Sequence, residues 1–510
     1  MVISMKKLSE LIKAVEQLID GGIAKYENIG DTEVSSIIYD TRSEIAEGAA
    51  FVAMAGATFD GHSFAAEAEK KGASVIFAEH EVELEGSAKL VVVSDTRKAL
   101  SLLSQAWFDY PAAKLVTIGL TGTKGKSTTC YMIHNILEKA GRRCGIIGTI
   151  GILINGTSYP THNTTPESYL VQQYLRQMVD EGCDTLLMEV SSQGLKQHRV
   201  FGMTFDYGVF TNLGKDHIGG AEHADFEEYL DCKAILFGQS RTAIVNANDS
   251  HVAEVLKYCK TAVEGFGLAQ NTNILENSGI KPSGMLMGDE IRLFVENGTM
   301  GISFDYSGSL TGTARLSIPG KFNVMNALCA TAVAAHFTDD VSKIADALFN
   351  THVRGRLEPV KISDKYTLLI DYAHNAVALE SVLETLRAYE PKRLVNLFGC
   401  GGNRSKDRRF EMGEVSSRMA DLTVVTSDNP RFEKPEDIIA DILVGVSKAD
   451  GKYITIPDRR EAIKYCIENA QPGDCILLAG KGNEDYQEIE GVRYPMDERD
   501  IISDIIAELR

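Results

Sequence analysis

Short apolar runs alternate along this chain with stretches in which apolar residues return every three or four positions. The first pattern predicts buried strands and the second amphipathic helices. Residues 115–120 read as a strand, and a glycine-rich turn follows it. A helix is predicted over 127–140, with Ile133, Ile136, Leu137 and Ala140 on one stripe, and then a strand at 144–150. Strand, loop, helix and strand in that order make a βαβ unit of a parallel sheet. Further strands are predicted at 185–190, 207–211 and 243–246, and 265–317 is rich in strand and turn signals.

Upstream, 1–112 predicts a small mixed α/β unit, with strands at 34–39, 50–54 and 74–78 and a helix at 64–71. Asp109-Tyr110-Pro111 breaks that pattern. Downstream of 353, strands at 366–370, 394–398, 422–426 and 475–479 alternate with helical stripes at 376–389, 409–420 and 435–447. That is a second doubly wound α/β region. A chain of 510 residues exceeds one ordinary core, so three domains are expected, at 1–112, 113–352 and 353–510.

Charge narrows the partners. The formal net charge is -19, which counts against nucleic acid, because that ligand calls for a basic face. Any bound phosphate has to be met by a local cationic site. The nine cysteines are scattered and form no C-x-x-C pair, so reduced thiols are expected and a zinc site is not. No apolar run approaches the ~18 residues of a membrane span, and Lys6 and Lys7 interrupt the N-terminal stretch. A cytoplasmic protein without membrane insertion is the expectation, and a monomer is expected too.

Gly122-Thr123-Lys124-Gly125-Lys126-Ser127 lies between predicted strand and helix. Amides at a helix start carry partial positive charge, and glycines let the backbone curl around an anion. Lys126 could reach the outer phosphates of a nucleotide, and the Ser127 hydroxyl could meet magnesium. The loop has two residues between its glycines where the common form has four. A glycine turn with an incidental lysine is the alternative. The fold class expected is therefore α/β, with a central P-loop ATPase-type parallel sheet and a C-terminal Rossmann-like doubly wound domain. A phosphate loop leaves kinases, GTPases and ligases all open.

Three downstream positions bear on that choice. Glu189 ends an apolar strand, where a carboxylate faces the ligand crevice of a parallel sheet and could hold magnesium. His217 follows the next strand and could ligate a metal, although a lone loop histidine is more often structural. Lys233 falls in a predicted helix at 226–237, where a lysine is ordinarily solvated.

Taken together, these motifs resemble the Mur ligase family over essentially the whole chain. Family members join an amino acid to a UDP-sugar peptide with ATP and build the peptide of cell-wall precursors. Asp40-Thr41-Arg42 and Gly61-His62 resemble the uridine-domain motifs, with Thr41 where serine is common. Thr121 to Thr129, including Thr128, resembles the ATP loop, and Asn163-Thr164-Thr165-Pro166-Glu167 the segment holding the UDP-sugar dipeptide. Ser191, Gln197 and Arg199 align with substrate contacts. The stretch containing Asn323 and Asn326, and Gly355-Arg356, resemble motifs near the nucleotide. Lys233 falls where the family carries a lysine carbamylated by carbon dioxide; with His217 it would help hold a second magnesium ion, and Glu189 matches the other magnesium carboxylate.

Asp428-Asn429-Pro430-Arg431 matches the branch that uses meso-diaminopimelate, whose free end carries a carboxylate suited to an arginine fork. Arg404, Gly480 and Glu484 fall where that branch contacts the same amino acid, and Glu484 could pair with its distal ammonium. Gln193, Asn483 and Gly219-Gly220 depart from the family's pattern. The resemblance implies transfer of meso-diaminopimelate to UDP-N-acetylmuramoyl-L-alanyl-D-glutamate through an acyl phosphate. It also implies a closure of the third domain with its hinge at 353–355. A same-fold ligase for lysine, folate or another amine, and a nucleotide-binding module without catalysis, stand as alternatives.

Overall fold

A computed structural model describes residues 5–18, 32–56, 60–215, 218–219, 222–271 and 273–509. It has a three-domain α/β architecture with parallel sheets. The chain gathers into two compact units, Met1–Cys130 with Leu137–Met285, and Tyr131–Ile136 with Leu286–Arg510.

The first unit holds the strand pair Lys6–Lys7 with Glu33–Val34, a four-stranded sheet and the parallel part of the largest sheet. A small parallel sheet runs in the order Ile37–Ile38, Ala49–Val52, Ala73–Ala78, Lys89–Val92. The helix predicted at 64–71 is the α-helix Ala65–Lys70, preceded by a 3-10 turn, Gly61–Phe64. The helix Thr96–Trp107 buries Leu100, Leu103 and Trp107 against this sheet. It then ends abruptly: Asp109 and Tyr110 take φ of 60° and 50° before Pro111, the break foreseen there. Ser101 Oγ and Gln105 Nε2 both donate to Phe201 O, at 2.7 and 2.8 Å, and tie the small sheet's helix to the larger sheet.

The larger sheet has a parallel centre in the order Cys144–Gly148, Thr185–Glu189, Val116–Thr121, Phe205–Phe210, Ser240–Asn246, Ala262–Leu268. The central strands are buried on both faces, which is why they read as continuous apolar runs. Strand register sets Glu189 opposite Leu120, and Phe210 opposite Thr121. The carboxyl ends of three neighbouring strands therefore meet at the loop that begins with Gly122. Ligands of open α/β sheets bind at such an edge.

The second unit contains the antiparallel strands Gly284–Glu296, Thr299–Gly308 and Gly312–Leu316. It also contains a six-stranded sheet in the order Glu358–Pro359, Thr367–Asp371, Asp474–Ala479, Arg393–Phe398, Leu422–Val425, Tyr453–Thr455. All but the first pair are parallel. Helices Ala376–Arg387, Lys406–Met419 and Pro435–Val446 cover one face through Leu379, Leu383, Met412 and Ile442. Arg459–Glu468 and Glu498–Leu509 cover the other through Ile463, Ile467, Ile502 and Ile505. Gly355, inside the expected hinge, has φ +69° and accepts the Tyr372 N–H at 2.9 Å; a Cβ there would lie 2.3 Å from Asn483 N. Its backbone is thus packed into the second unit.

Candidate functional site

The glycine loop at 122–125 joins the strand Val116–Thr121 to the helix Lys126–Lys139. Gly122 and Gly125 have φ of 145° and 83°, conformations that a side chain disfavours. A Cβ on Gly122 would lie 2.0 Å from Thr211 Oγ1. The neighbouring strand's end clamps the loop. Thr123 N–H donates to Asn212 O at 2.8 Å, and Lys124 N–H to Asn212 Oδ1 at 2.9 Å. Thr211 Oγ1 and Asn212 Nδ2 donate back to Lys124 O, at 2.8 and 3.0 Å. Thr129 N–H closes the first helical turn on Gly125 O, so the amides that open the helix point out of its positive end. Ser127 is buried and Thr128 half-buried in that turn.

Two amines meet on one carbonyl. Lys126 Nζ donates to Gly122 O at 2.8 Å and to Thr123 O at 3.2 Å. Lys233 Nζ donates to the same Gly122 O at 2.9 Å and lies 4.4 Å from the Tyr229 ring centroid. Lys233 is 1% exposed, unlike an ordinary helix lysine. The helix Phe226–Gly238 turns it inward, and Tyr229 on the same helix reaches Thr123 Oγ1 at 3.0 Å. Half-buried Lys126, beside the amides that open the helix, favours an anion at the mouth of the loop.

Glu189 is 1% exposed at the end of its strand. Thr149 donates its N–H to Oε1 at 3.0 Å and its hydroxyl to Oε2 at 3.2 Å. His217 and Gly220 lie outside the described residues. Gly219, with φ +97°, donates its N–H to His223 O at 2.8 Å.

A second connected group runs beside Glu189. Thr164 Oγ1 is 2.9 Å from Thr149 Oγ1. Thr165 Oγ1 donates to Glu189 O at 2.9 Å and lies 3.1 Å from Ser191 Oγ. Ser191 caps the short helix Ser192–Lys196 by accepting the Gly194 N–H at 3.0 Å, and Gln197 follows that helix. Arg199 donates to Thr165 O at 2.7 Å and pairs with Glu167 at 2.5 Å. Asn163 is exposed, and its carbonyl accepts from Thr161 Oγ1 at 2.7 Å. Thr41 sits apart in the small sheet's first turn, where its carbonyl accepts from Lys71 Nζ at 3.0 Å. Beside it, Arg42 holds the Asp40 carboxyl below its usual range by a side-chain hydrogen bond.

The remaining expected site residues belong to the second unit. Asn323 Nδ2 donates to Pro319 O at 2.7 Å, and Asn326 Nδ2 to Asn323 Oδ1 at 3.0 Å. Arg356 is exposed, with its guanidinium 5.6 Å from the Tyr372 ring centroid.

Loops from three neighbouring parallel strands, Arg393–Phe398, Leu422–Val425 and Asp474–Ala479, gather the other six residues and Pro430. Gly480 has φ +109°, and a Cβ there would lie 3.0 Å from Asp428 Oδ2. Asn429 Nδ2 donates to Glu484 Oε2 at 2.9 Å. Arg431, at φ +53°, donates from Nε to Glu488 at 3.1 Å and from Nη1 to Gly402 O at 2.8 Å. A Cβ on Gly401 would meet Arg431 Nη1 at 2.9 Å and Arg404 Cγ at 3.8 Å, so the two arginines flank that glycine. Pro430 presses its carbonyl against Gly402, where a Cβ would lie 1.9 Å away.

Several organising residues were not singled out by sequence. Buried Lys481 donates to Asn429 Oδ1 at 3.0 Å, to Glu484 Oε2 at 2.9 Å and to Tyr486 O. Glu484 therefore meets Lys481 before any substrate ammonium. Buried Arg409 bonds Glu433 at 2.7 Å and Asp441 at 2.8 Å, and steadies the loop after Phe398. Asn212 acts through its carbonyl and side-chain amide, and Thr149 through its N–H and hydroxyl. A polar residue directly after an apolar strand was the one signal that could have marked them.

Family models match three successive parts of the chain. The "Mur ligase family, catalytic domain" matches residues 34–107, the "Mur ligase middle domain" 120–334, and the "Mur ligase, glutamate ligase domain" 355–482. The UDP-N-acetylmuramoyl-L-alanyl-D-glutamate--2,6-diaminopimelate ligase of Geobacillus thermodenitrificans (strain NG80-2) is 38% identical over 94% of this chain and 96% of its own. The ligase of the same name from Caldanaerobacter subterraneus subsp. tengcongensis is 36% identical over 98% of this chain and 99% of its own. A solved structure of a ligase with that name is 28% identical, covers 99% of both chains and has a TM-score of 0.71. Among the described residues, no helix is long and apolar enough to cross a membrane. With a full-length relative at this identity and family models along most of its length, the chain belongs to the Mur ligase family.

Proposed function

We propose that this chain is an ATP-dependent ligase that joins meso-diaminopimelate to UDP-N-acetylmuramoyl-L-alanyl-D-glutamate, in the synthesis of peptidoglycan precursors. The observation that carries this reading is the loop Gly122 to Ser127, clamped by Thr211 and Asn212 at the positive end of a helix with Lys126 in it. In it, residues 1–112 take the UDP end, 113–352 the nucleotide and 353–510 the amine.

The D-glutamate carboxylate attacks the terminal phosphate of ATP, giving an acyl phosphate and ADP. The amine then attacks the acyl carbon, and phosphate leaves. A carboxylate oxygen leaves badly, so phosphorylation replaces one difficult step with two easier ones. Two anions meet in the first step. Lys126 and the amides of Gly122 to Thr128 offset their repulsion where charge develops, with Asn323, Asn326 and Arg356 serving the same nucleotide. Thr41, Asn163, Thr164, Thr165, Ser191, Gln197 and Arg199 hold the UDP-sugar peptide.

The Ser127 hydroxyl and the Glu189 carboxylate are hard oxygen donors of the kind magnesium takes. His217 would add a nitrogen. Lys233 carries an amine, which offers a metal no oxygen; as a carbamate it would offer one, and its new charge would sit beside Lys126. Bound magnesium, expected as two ions, neutralises charge on the phosphoryl oxygens.

Arg404 and Arg431 favour an amine whose far end carries a carboxylate, because a guanidinium fork matches that group. Asp428, Asn429, Pro430 and Gly480 shape the same pocket, and Glu484 serves the distal ammonium through its remaining lone pairs. This favours meso-diaminopimelate over lysine. ADP release with the UDP-sugar dipeptide and a panel of amines is the test. Turnover with meso-diaminopimelate well above that with L-lysine is expected. Equal or greater turnover with L-lysine would overturn the amine assignment.

A further inference from the structure

Arg459 and Glu498 form an ion pair with 2% and 0% exposure behind the loops assigned to the amine. Arg459 Nε and Nη2 donate to Glu498 Oε1 at 2.9 and 2.8 Å. The same guanidinium donates from Nη1 to Ser427 O at 3.2 Å and from Nη2 to Ala479 O at 3.0 Å. Ser427 directly precedes Asp428, and Ala479 directly precedes Gly480. The strands leading to these two loops are not neighbours, because Arg393–Phe398 runs between them. No ladder of backbone hydrogen bonds can then fix one loop against the other. The spacing is nevertheless tight, since a Cβ on Gly480 would lie 3.0 Å from Asp428 Oδ2.

We propose that Arg459, oriented by Glu498, is the positioning residue that fixes the Asp428 loop against the Gly480 loop and so sets the fit of the incoming amine. The second half of this statement rests on the reading that these loops take the amine. A planar fork can serve a carboxylate and two carbonyls at once, which a lysine ammonium on a flexible stem does less well. Stability alone accounts poorly for the pair. Buried ion pairs are often replaced by apolar residues without loss, and among the described residues Glu498 Oε2 has no hydrogen-bond partner. Gln487 adds a lesser tie, donating from Nε2 to Asp428 O at 2.7 Å.

The test is the full-length double variant R459M/E498L, which replaces the pair with apolar residues of similar bulk. R459K, which keeps the charge and loses the fork, is the second variant. The expected result for the double variant is a melting temperature lowered by a few degrees, since two carbonyls lose their donor, and a KM for meso-diaminopimelate raised about tenfold or more. KM for ATP and for the UDP-sugar dipeptide stays at the wild-type value. Amide hydrogen exchange should quicken at 427–431 and 479–484 and nowhere else. R459K should shift the same quantities less. Wild-type exchange at both loops in either folded variant, or equal rises in all three KM values, would overturn the proposal. If wild-type protein shows no turnover with meso-diaminopimelate, the amine reading fails, while the exchange measurement still decides whether Arg459 positions the loops.

Discussion

Replacing Lys233 with methionine separates its role in chemistry from its role in folding. The lysine amine is buried, donates to Gly122 O at 2.9 Å and lies 4.4 Å from the Tyr229 ring centroid. Methionine has nearly the same volume, so no large cavity opens. Lys126 still donates to Gly122 O at 2.8 Å, so that carbonyl keeps a partner. The lost cation–π contact costs about 0.5–2 kcal/mol. A sulfur–ring contact and relief from burying a charge offset part of this. The net change should stay within about 1 kcal/mol, a shift of at most a few degrees in melting temperature. Turnover should fall by about 10²–10³-fold or more, because methionine cannot form the carbamate and offers magnesium no oxygen. Coupled ADP release at saturating substrates, beside a thermal melt of the same sample, reads both. A variant that melts like wild type and turns over within about threefold of it would refute the reasoning, since that loss is far below the range for such a contact.

Three other perturbations probe separate parts of the account. Lys126→Ala should nearly abolish ADP release with the fold retained, and near-normal turnover would remove the lysine from the phosphate site. Gly122→Ala sets a Cβ 2.0 Å from Thr211 Oγ1 at φ 145°; it should destabilise by about 1–3 kcal/mol and weaken nucleotide binding, which melts and titration calorimetry would register. Arg409 and the Asn403 N–H hold the Glu433 carboxyl down at about 2, against an ordinary value of 4.5. A carboxyl lowered by folding stabilises the protein above its unfolded value, and that contribution fades as pH falls from there toward the folded value. Urea melts across that acid window should therefore fall less steeply for Arg409→Met than for wild type, and equal slopes would contradict the pairing.

The strand, glycine loop and helix around Gly122 were legible because their signals are local. Two glycines, a lysine and a serine stand between an apolar run and a helical stripe within a dozen residues. The parallel sheets were legible for the same reason, since strands buried on both faces are apolar throughout. The burial of Lys233 was legible only through the family resemblance, because its partner carbonyl lies 111 positions away, and helical periodicity does not tell a buried lysine from a solvated one. Lys481 and Arg459 escaped likewise. Each is a charged residue whose burial depends on carbonyls or carboxylates delivered by other loops. The helix predicted at 64–71 forms as Ala65–Lys70, while the 3-10 turn before it, begun where Asp60 accepts the His62 N–H, carried no periodic signal. The two arginines by Gly401 come together because Asn429 O accepts the Gly402 N–H at 2.8 Å, a contact no spacing in the sequence encodes.

Oxygen transfer examines the acyl phosphate most directly. The UDP-sugar dipeptide would carry oxygen-18 in its D-glutamate side-chain carboxylate and be turned over with ATP and meso-diaminopimelate. Mass spectrometry of the released phosphate should find one labelled oxygen per molecule of amide formed. Phosphate without label would contradict the account.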